Sequence, residues 1–151
     1  TRLVTFLHRP ADQPPVRFYE RLEPAVFVLR LVPGMRADII PLLAPHYRAL
    51  VLESFGVGGL PGGEHGEMFA ALRRWCESGR LAVFTTQVPH EGCDLAVYEV
   101  GRAVGELPGV LEARDMTPEA VAVKLMWALG QTEDREKAAR LFETPIEYDI
   151  M

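Results

Sequence analysis

The residues best placed to do chemistry stand where apolar runs end. Ala49-Leu-Val-Leu-Glu53-Ser54 passes from an apolar run into a polar pair, then into Gly56-Val-Gly58-Gly59-Leu-Pro61. Leu81-Ala-Val-Phe-Thr85-Thr86-Gln87 ends in the same way, in hydroxyls and an amide. A buried parallel strand that delivers polar groups to a flexible loop at its carboxyl end is how open α/β sheets hold ligands. Ser54, Thr86 and Gln87 are therefore expected to line one crevice, hydrogen-bonding a small polar ligand or one another. The glycines are not a dinucleotide fingerprint. Pro61-Gly62-Gly63 prolongs the loop where a helix should begin, and no Walker lysine follows. A mobile turn with no ligand fits the glycines alone equally well.

Other reactive side chains lead less far. His90, Glu91, Cys93 and Asp94 are metal-ligand types. Neighbours at that spacing seldom converge on one ion, and no second cluster completes a tetrahedral set, so no metal is expected. An exposed N-terminal threonine such as Thr1 can act as a nucleophile with its own amine as base. Such enzymes stack antiparallel sheets, whereas this chain alternates β and α. His8, His46 and His65 stand alone in loop-like contexts and read as surface residues. Trp75 and Trp127 fall on apolar helical faces and read as core. No nucleophile–base set emerges, so the glycine loop is expected to belong to a site whose chemistry lies elsewhere.

Positioning these groups falls to a regular alternation that begins at Pro24. Ala25–Val32 reads as a strand broken by Pro33-Gly34, and Asp38–Leu43 as a short helix with Pro41 in its first turn. Ala49–Leu52 is the second strand. His65–Ser78 follows as an amphipathic helix, with Met68, Phe69, Leu72 and Trp75 or Cys76 at helical spacing and Gly79 as its stop. Leu81–Thr86 is the third strand, Asp94–Val104 the start of another helix, and Gly109–Glu112 a short fourth strand. Thr117 caps a helix with Pro118 at its first position, and Val121, Leu125, Met126 and Leu129 continue its buried face. Glu133–Phe142 is a last, charged helix. Short continuous apolar strands alternating with helices predict a three-layer, flavodoxin-like α/β domain with about four parallel strands.

Upstream, residues 1–23 read as a linker or extended arm, because Arg9-Pro-Ala-Asp-Gln-Pro-Pro15 forbids regular structure. So uneven an opening is expected of a piece of a longer chain, leaving residues 24–151 as the folded domain. The 151 residues suit one domain with a real core. At 48% hydrophobic and 25% charged, with a net charge of −5, the chain has no electrostatic reason to bind nucleic acid or an anionic membrane. No apolar run approaches the roughly 20 residues of a membrane span, and Thr1–Leu7 is too short for a signal peptide. Cys76 and Cys93 show no CxxC spacing. A reduced, cytoplasmic protein is expected, unless the fold brings the two thiols together.

Several phrases in order resemble the C-terminal domain of the cytoplasmic (type I) L-asparaginases. Pro33-Gly-Met-Arg-Ala-Asp38 resembles that family's turn after its first strand, Ala49–Pro61 its strand and glycine loop, and Thr85-Thr-Gln87 its third-strand ending. Tyr98, Gly101, Leu107, Gly109-Val110, Asp115-Met-Thr117-x-Glu119-Ala120 and Lys124-Leu125 match its closing pattern. The resemblance spans Pro24 to Gln131.

That resemblance implies an amidohydrolase of two α/β domains that converts L-asparagine to L-aspartate and ammonia without metal or cofactor. Its nucleophilic threonine would lie in a TGGT-type turn of the N-terminal domain, with a Thr-Lys-Asp set completing acyl transfer. Neither that turn nor a His-Gly-Thr-Asp-Thr motif occurs here, so the chain alone is expected to be inactive, with no catalytic residue of its own. The implied role is to close the active site of a neighbouring subunit in a homo-oligomer. Ser54, Gly56, Gly58, Gly59, Gln87 and Tyr98 are the expected lip of that site. The sequence departs from the pattern at Gly59, where many relatives carry an asparagine that touches substrate. Glu53 and Val88 stand where some type I enzymes carry the arginine and cysteine of an allosteric pocket, which argues against such activation. Alternative roles are a free-standing module that binds a small amino acid or amide, and a dimerisation domain.

Overall fold

The computed structural model describes residues 15–62, 66–88, 90–97, 99–146 and 149–150. Strand β1 (Val26–Arg30) leads through α1 (Ile39–Leu43) to β2 (Ala49–Ser54). Helix α2 (Glu67–Glu77), β3 (Leu81–Thr86), α3 (Glu99–Gly105) and β4 (Val110–Glu112) follow, and α4 (Pro118–Gln131) and α5 (Arg135–Glu143) close the chain. All strand pairs are parallel, in the order β1-β2-β3-β4. The predicted α/β architecture is thus the observed one.

Strand order decides where the helices go. Each crossover steps the same way, and right-handed crossovers then place α1, α2 and α3 on one face of the sheet. Leu50, Leu52, Ala82 and Phe84 pack there with Ile40, Leu72 and Trp75. The alternate residues Ala49, Val51, Leu81 and Val83 point the other way, onto Val121, Leu125, Ala128 and Phe142 of α4 and α5. Because the order never reverses, these four strands contain no topological switch point, the usual crevice of a doubly wound sheet. A ligand site must be built by the loops or completed from outside.

Local chemistry sets the helix ends. Thr117 accepts a hydrogen bond from the Ala120 N–H at 3.3 Å, and Asp134 one from Lys137 N–H at 3.0 Å, each satisfying a free donor of the first turn. Gly79 stops α2 in a left-handed conformation (φ +87°). At the amino edge of the sheet, Arg80 donates to the carbonyls of Ala44 (2.8 Å) and Tyr47 (3.2 Å) and to Ser78 Oγ (2.6 Å). It thereby binds the end of α1 to the end of α2, where helix carbonyls favour a cation.

One helix starts later than the sequence predicts. Residues 94–97 form a turn, not the opening of α3, because Asp94 Oδ1 accepts from Ala96 N–H (2.9 Å) and Leu95 turns into the core. Trp75 is core as expected, its indole N–H donating to the Leu81 carbonyl at 2.9 Å. Trp127 is not. It lies half-buried on the outer side of α4, edge-to-face with Tyr19 at 5.2 Å.

Glu112 on β4 has its carboxyl pushed above the ordinary value of 4.5, chiefly by burial and against a hydrogen bond from the Leu95 N–H. A raised folded-state pKa contributes stability below the unfolded pKa, and that stability is lost as pH rises through the folded one. Glu112→Gln keeps the acceptor for Leu95 and removes the titration. The variant is expected to be more stable than the parent at pH 7, with the gap closing toward pH 4 in paired urea melts. A gap that stays constant with pH would count against burial of the charge as the cause.

Candidate functional site at the carboxyl ends of the strands

Past Ser54 the chain makes a closed turn and not the open loop that the glycines suggest. The Phe55 carbonyl accepts from Gly58 N–H (3.2 Å) and Gly59 N–H (2.8 Å), and Gly59 returns its carbonyl to Phe55 N–H (3.3 Å). Gly56 sits at φ +48°, a conformation that glycine adopts without cost. Two neighbours pin the turn. Thr86 Oγ1 donates to the Gly56 carbonyl. From the next loop, Asp94 N–H donates to the Val57 carbonyl at 3.0 Å, and Cys93 Sγ lies 3.5 Å from the same oxygen. Gly58 is buried against Leu95, and an added methyl would meet that side chain at 2.9 Å.

The side chains of the predicted ligand groups bond not one another but backbone carbonyls nearby. Ser54 is fully buried and donates to the Thr85 carbonyl at 2.8 Å. Gln87 runs across the strand ends, its amide donating to the carbonyls of Leu31 (2.7 Å) and Glu53 (2.8 Å). Gly56, Gly58 and Gly59 come together with Thr86 and, through the strand ends, with Ser54 and Gln87. Tyr98 lies outside the described residues, as do Thr1, His8 and His65. His46 and His90 are exposed.

Two features escape a reading of the sequence. Arg30 and Glu53, opposite each other in the β1–β2 register, form an ion pair at 2.7 Å on the α4 side of the sheet. Beside them opens a recess of about 350 Å³, lined by Arg30, Thr86, Gln87, Asp115, Thr117 and Glu119. Strand alternation places Arg30 and Glu53 on one face, but the approach of the α4 amino end is a tertiary fact. The second feature is Thr85, fully buried, whose Oγ1 has no hydrogen-bond partner. Such a group costs roughly 1–3 kcal/mol. Thr85→Val, nearly the same shape, is expected to raise unfolding stability by about 1 kcal/mol in urea titrations. A destabilised variant would show that the hydroxyl is satisfied.

As chemistry, the arrangement is a rigid polar rim. None of the three rim hydroxyls, Ser54, Thr85 and Thr86, is bonded to a histidine, lysine or carboxylate. Ser54 and Thr86 donate to carbonyls, and Thr85 to nothing. Nor, among the described residues, does any group of three His, Cys, Asp or Glu come together to hold a metal. Both thiols are free and buried. Burial pushes Cys76 up to about 11 and Cys93 to about 12, the latter also raised by Glu112 and Asp94, so neither is a nucleophile at neutral pH. Among the described residues no helix is long and apolar enough to cross a membrane.

Comparison with known proteins gives this rim a family. Residues 25–142 match the glutaminase/asparaginase C-terminal domain. The L-asparaginase of Thermococcus kodakarensis is 38% identical over 133 residues, which are 88% of this chain and 40% of that protein. The solved structure of the thermostable L-asparaginase from Thermococcus kodakarensis superposes with a TM-score of 0.79 at 35% identity, over 93% of this chain and 44% of that one. A glutamyl-tRNA(Gln) amidotransferase subunit of Metallosphaera sedula is 35% identical over 130 residues, 85% of this chain and 28% of that protein. L-asparaginase I of Vibrio cholerae gives a TM-score of 0.74 at 28% identity, over 85% of this chain and 38% of that one. The chain thus spans less than half the length of these relatives. The sheet, the turn after its second strand and the match over residues 25–142 carry one conclusion: the chain belongs to the glutaminase/asparaginase C-terminal domain family.

Proposed function

We propose that this chain is the site-closing half of an asparaginase-type amidohydrolase, acting on L-asparagine through a nucleophile carried by an N-terminal domain or a neighbouring subunit. The observation that carries the reading is the pairing of a pinned polar rim with hydroxyls that have no base beside them. A rim whose own groups are already hydrogen-bonded is suited to shape and dry a site, which strengthens electrostatic stabilisation of an acyl-transfer oxyanion elsewhere. Gly56, Gly58, Gly59 and Gln87 would form the lip, and Ser54 and Thr86 would hold it from beneath. Two buried, free thiols accord with a reducing, cytoplasmic setting.

The relatives' names divide between L-asparaginases and an amidotransferase component, and the first is favoured by identity, 38% against 35%, and by the share of the relative that is covered, 40% against 28%. The test is ammonia release from L-asparagine. None is expected from the 151-residue chain alone. Release is expected when it is combined with the N-terminal part of the Thermococcus kodakarensis L-asparaginase. Turnover by the isolated chain would sink the reading. A second reading rests on the recess beside Arg30: a module that binds a small amino acid. Calorimetric titration of the isolated chain with asparagine and aspartate separates the two, since saturable binding would favour the module.

A further inference from the structure

The end of the sheet opposite the rim gathers positive charge. Between the ends of α1 and α2 and the turn from α4 to α5 lies a recess of about 340 Å³. Three arginines line it, Arg48, Arg80 and Arg135, each half-buried, with the exposed side chains of His46 and Glu133 beside them. Glu133 is the one carboxylate in that lining. The recess is therefore a local reversal of sign in a chain whose net charge is −5.

Helix ends explain two of the arginines. Both α1 and α2 finish here, and the carboxyl end of a helix attracts cations. Arg80 is held by the carbonyls of Ala44 and Tyr47 and lies 5.2 Å from the centre of the Trp75 ring. Arg135 donates to the Cys76 carbonyl at 3.1 Å. Arg48 is different, because its partners are side chains and not helix carbonyls. Its two amino groups pair with Glu23 at 3.0 Å and with Glu133 at 2.8 Å. Glu23 is largely covered, whereas Glu133 is 90% exposed. So exposed an ion pair loses little when it opens. The Glu133 carboxylate thus sits on Arg48 as an external anion could.

We propose that this recess is a binding site for a small polyanion, a molecule carrying several phosphate or carboxylate charges, which displaces Glu133 from Arg48. One guanidinium fork is enough for a single carboxylate, so three around one recess match a multiply charged ligand. A guanidinium also carries more donors than these contacts occupy. Protein partners already fix all three, which limits the ordering that binding must impose. The volume is that of a small-molecule site. Lying at the amino end of the sheet, the site is independent of the amidohydrolase reading.

Calorimetric titration of the 151-residue chain with pyrophosphate, citrate and inorganic phosphate, at matched ionic strength, tests the site. Saturable binding of pyrophosphate or citrate is expected, tighter than that of inorganic phosphate. Whichever binds more tightly shows whether phosphate or carboxylate groups carry the preferred charge. Glu133→Gln removes the competing carboxylate from an exposed position, and should tighten binding about twofold to fivefold with melting unchanged. Arg135→Gln should weaken it about tenfold or more. That variant also loses its contact with Cys76, so Glu133→Gln carries the decision if Arg135→Gln fails to fold. No saturable binding by the parent overturns the proposal, as does an affinity that Glu133→Gln leaves unchanged. Binding undiminished in a folded Arg135→Gln places the anion elsewhere and overturns it as well.

Discussion

Lys124→Ala is expected to destabilise the domain by about 3 kcal/mol and to release its carboxyl-terminal segment. The Lys124 ammonium is buried beneath α5, where it donates to the Thr144 carbonyl (2.9 Å) and pairs with Asp149 (2.8 Å). It also lies 5.7 Å from the centre of the Phe142 ring. Asp149 in turn accepts from Ile146 N–H at 2.7 Å, and Ile150 is buried in the same layer. Truncation leaves a carbonyl and a carboxylate without their cation and opens a void the length of the lysine stem. Breaking a buried pair from one side costs about 3–5 kcal/mol, and partial exposure of Asp149 places this case at the lower end. Lys124→Met keeps the stem and should recover part of the loss. Urea denaturation gives the energies, and limited proteolysis after Glu143 reports the released segment. A loss below about 1 kcal/mol for Lys124→Ala would mean that the segment holds without the lysine.

The second large effect is expected at Gly101→Ala, with a cost of about 2–3 kcal/mol and a loosened glycine turn. Gly101 is buried where α3 crosses the Leu95 backbone, and a methyl there would overlap the Leu95 carbonyl. Relief requires α3 or residues 93–97 to move. Those residues carry the Asp94 N–H and the Cys93 thiol that hold the Val57 carbonyl, so the strain passes to the rim. Cys93 gives a direct readout. Buried and pushed up to about 12 in the parent, it should resist iodoacetamide until the protein unfolds, and it should label in native Gly101→Ala. Normal stability with a protected thiol would show that α3 shifts freely and does not hold the turn.

Both effects concern residues whose importance was only half visible in the chain. Gly101 and Lys124 appear in the sequence as members of a motif order. Their physical roles, a close backbone crossing and a buried cation under a terminal segment, depend on contacts that no local pattern specifies. The helix over 94–104 shows the same limit on a smaller scale. Asp94 suits a helix start, but its side chain bonds two residues on while Leu95 sinks into the core, and α3 waits until Glu99.

The sequence by itself determined the element order and the strands that are buried. Continuous apolar runs at Ala49–Leu52 and Leu81–Phe84 demand cover on both faces, and Thr117-Pro118 and Gly79 mark helix ends through groups close along the chain. It also carries no Thr-Gly-Gly-Thr turn, a matter of residue order that folding does not change. Only the tertiary structure decided that Ser54, Thr86 and Gln87 are bound to backbone carbonyls of the strand ends and the glycine turn. It likewise decided that the glycine turn is pinned and that Arg48, Arg80 and Arg135 gather around one recess. The physical reason is that a hydrogen bond between Thr86 and Gly56, or one between Arg135 and Cys76, joins residues far apart in the chain. Composition and spacing fix which groups are available, whereas strand order and packing fix which of them remain free.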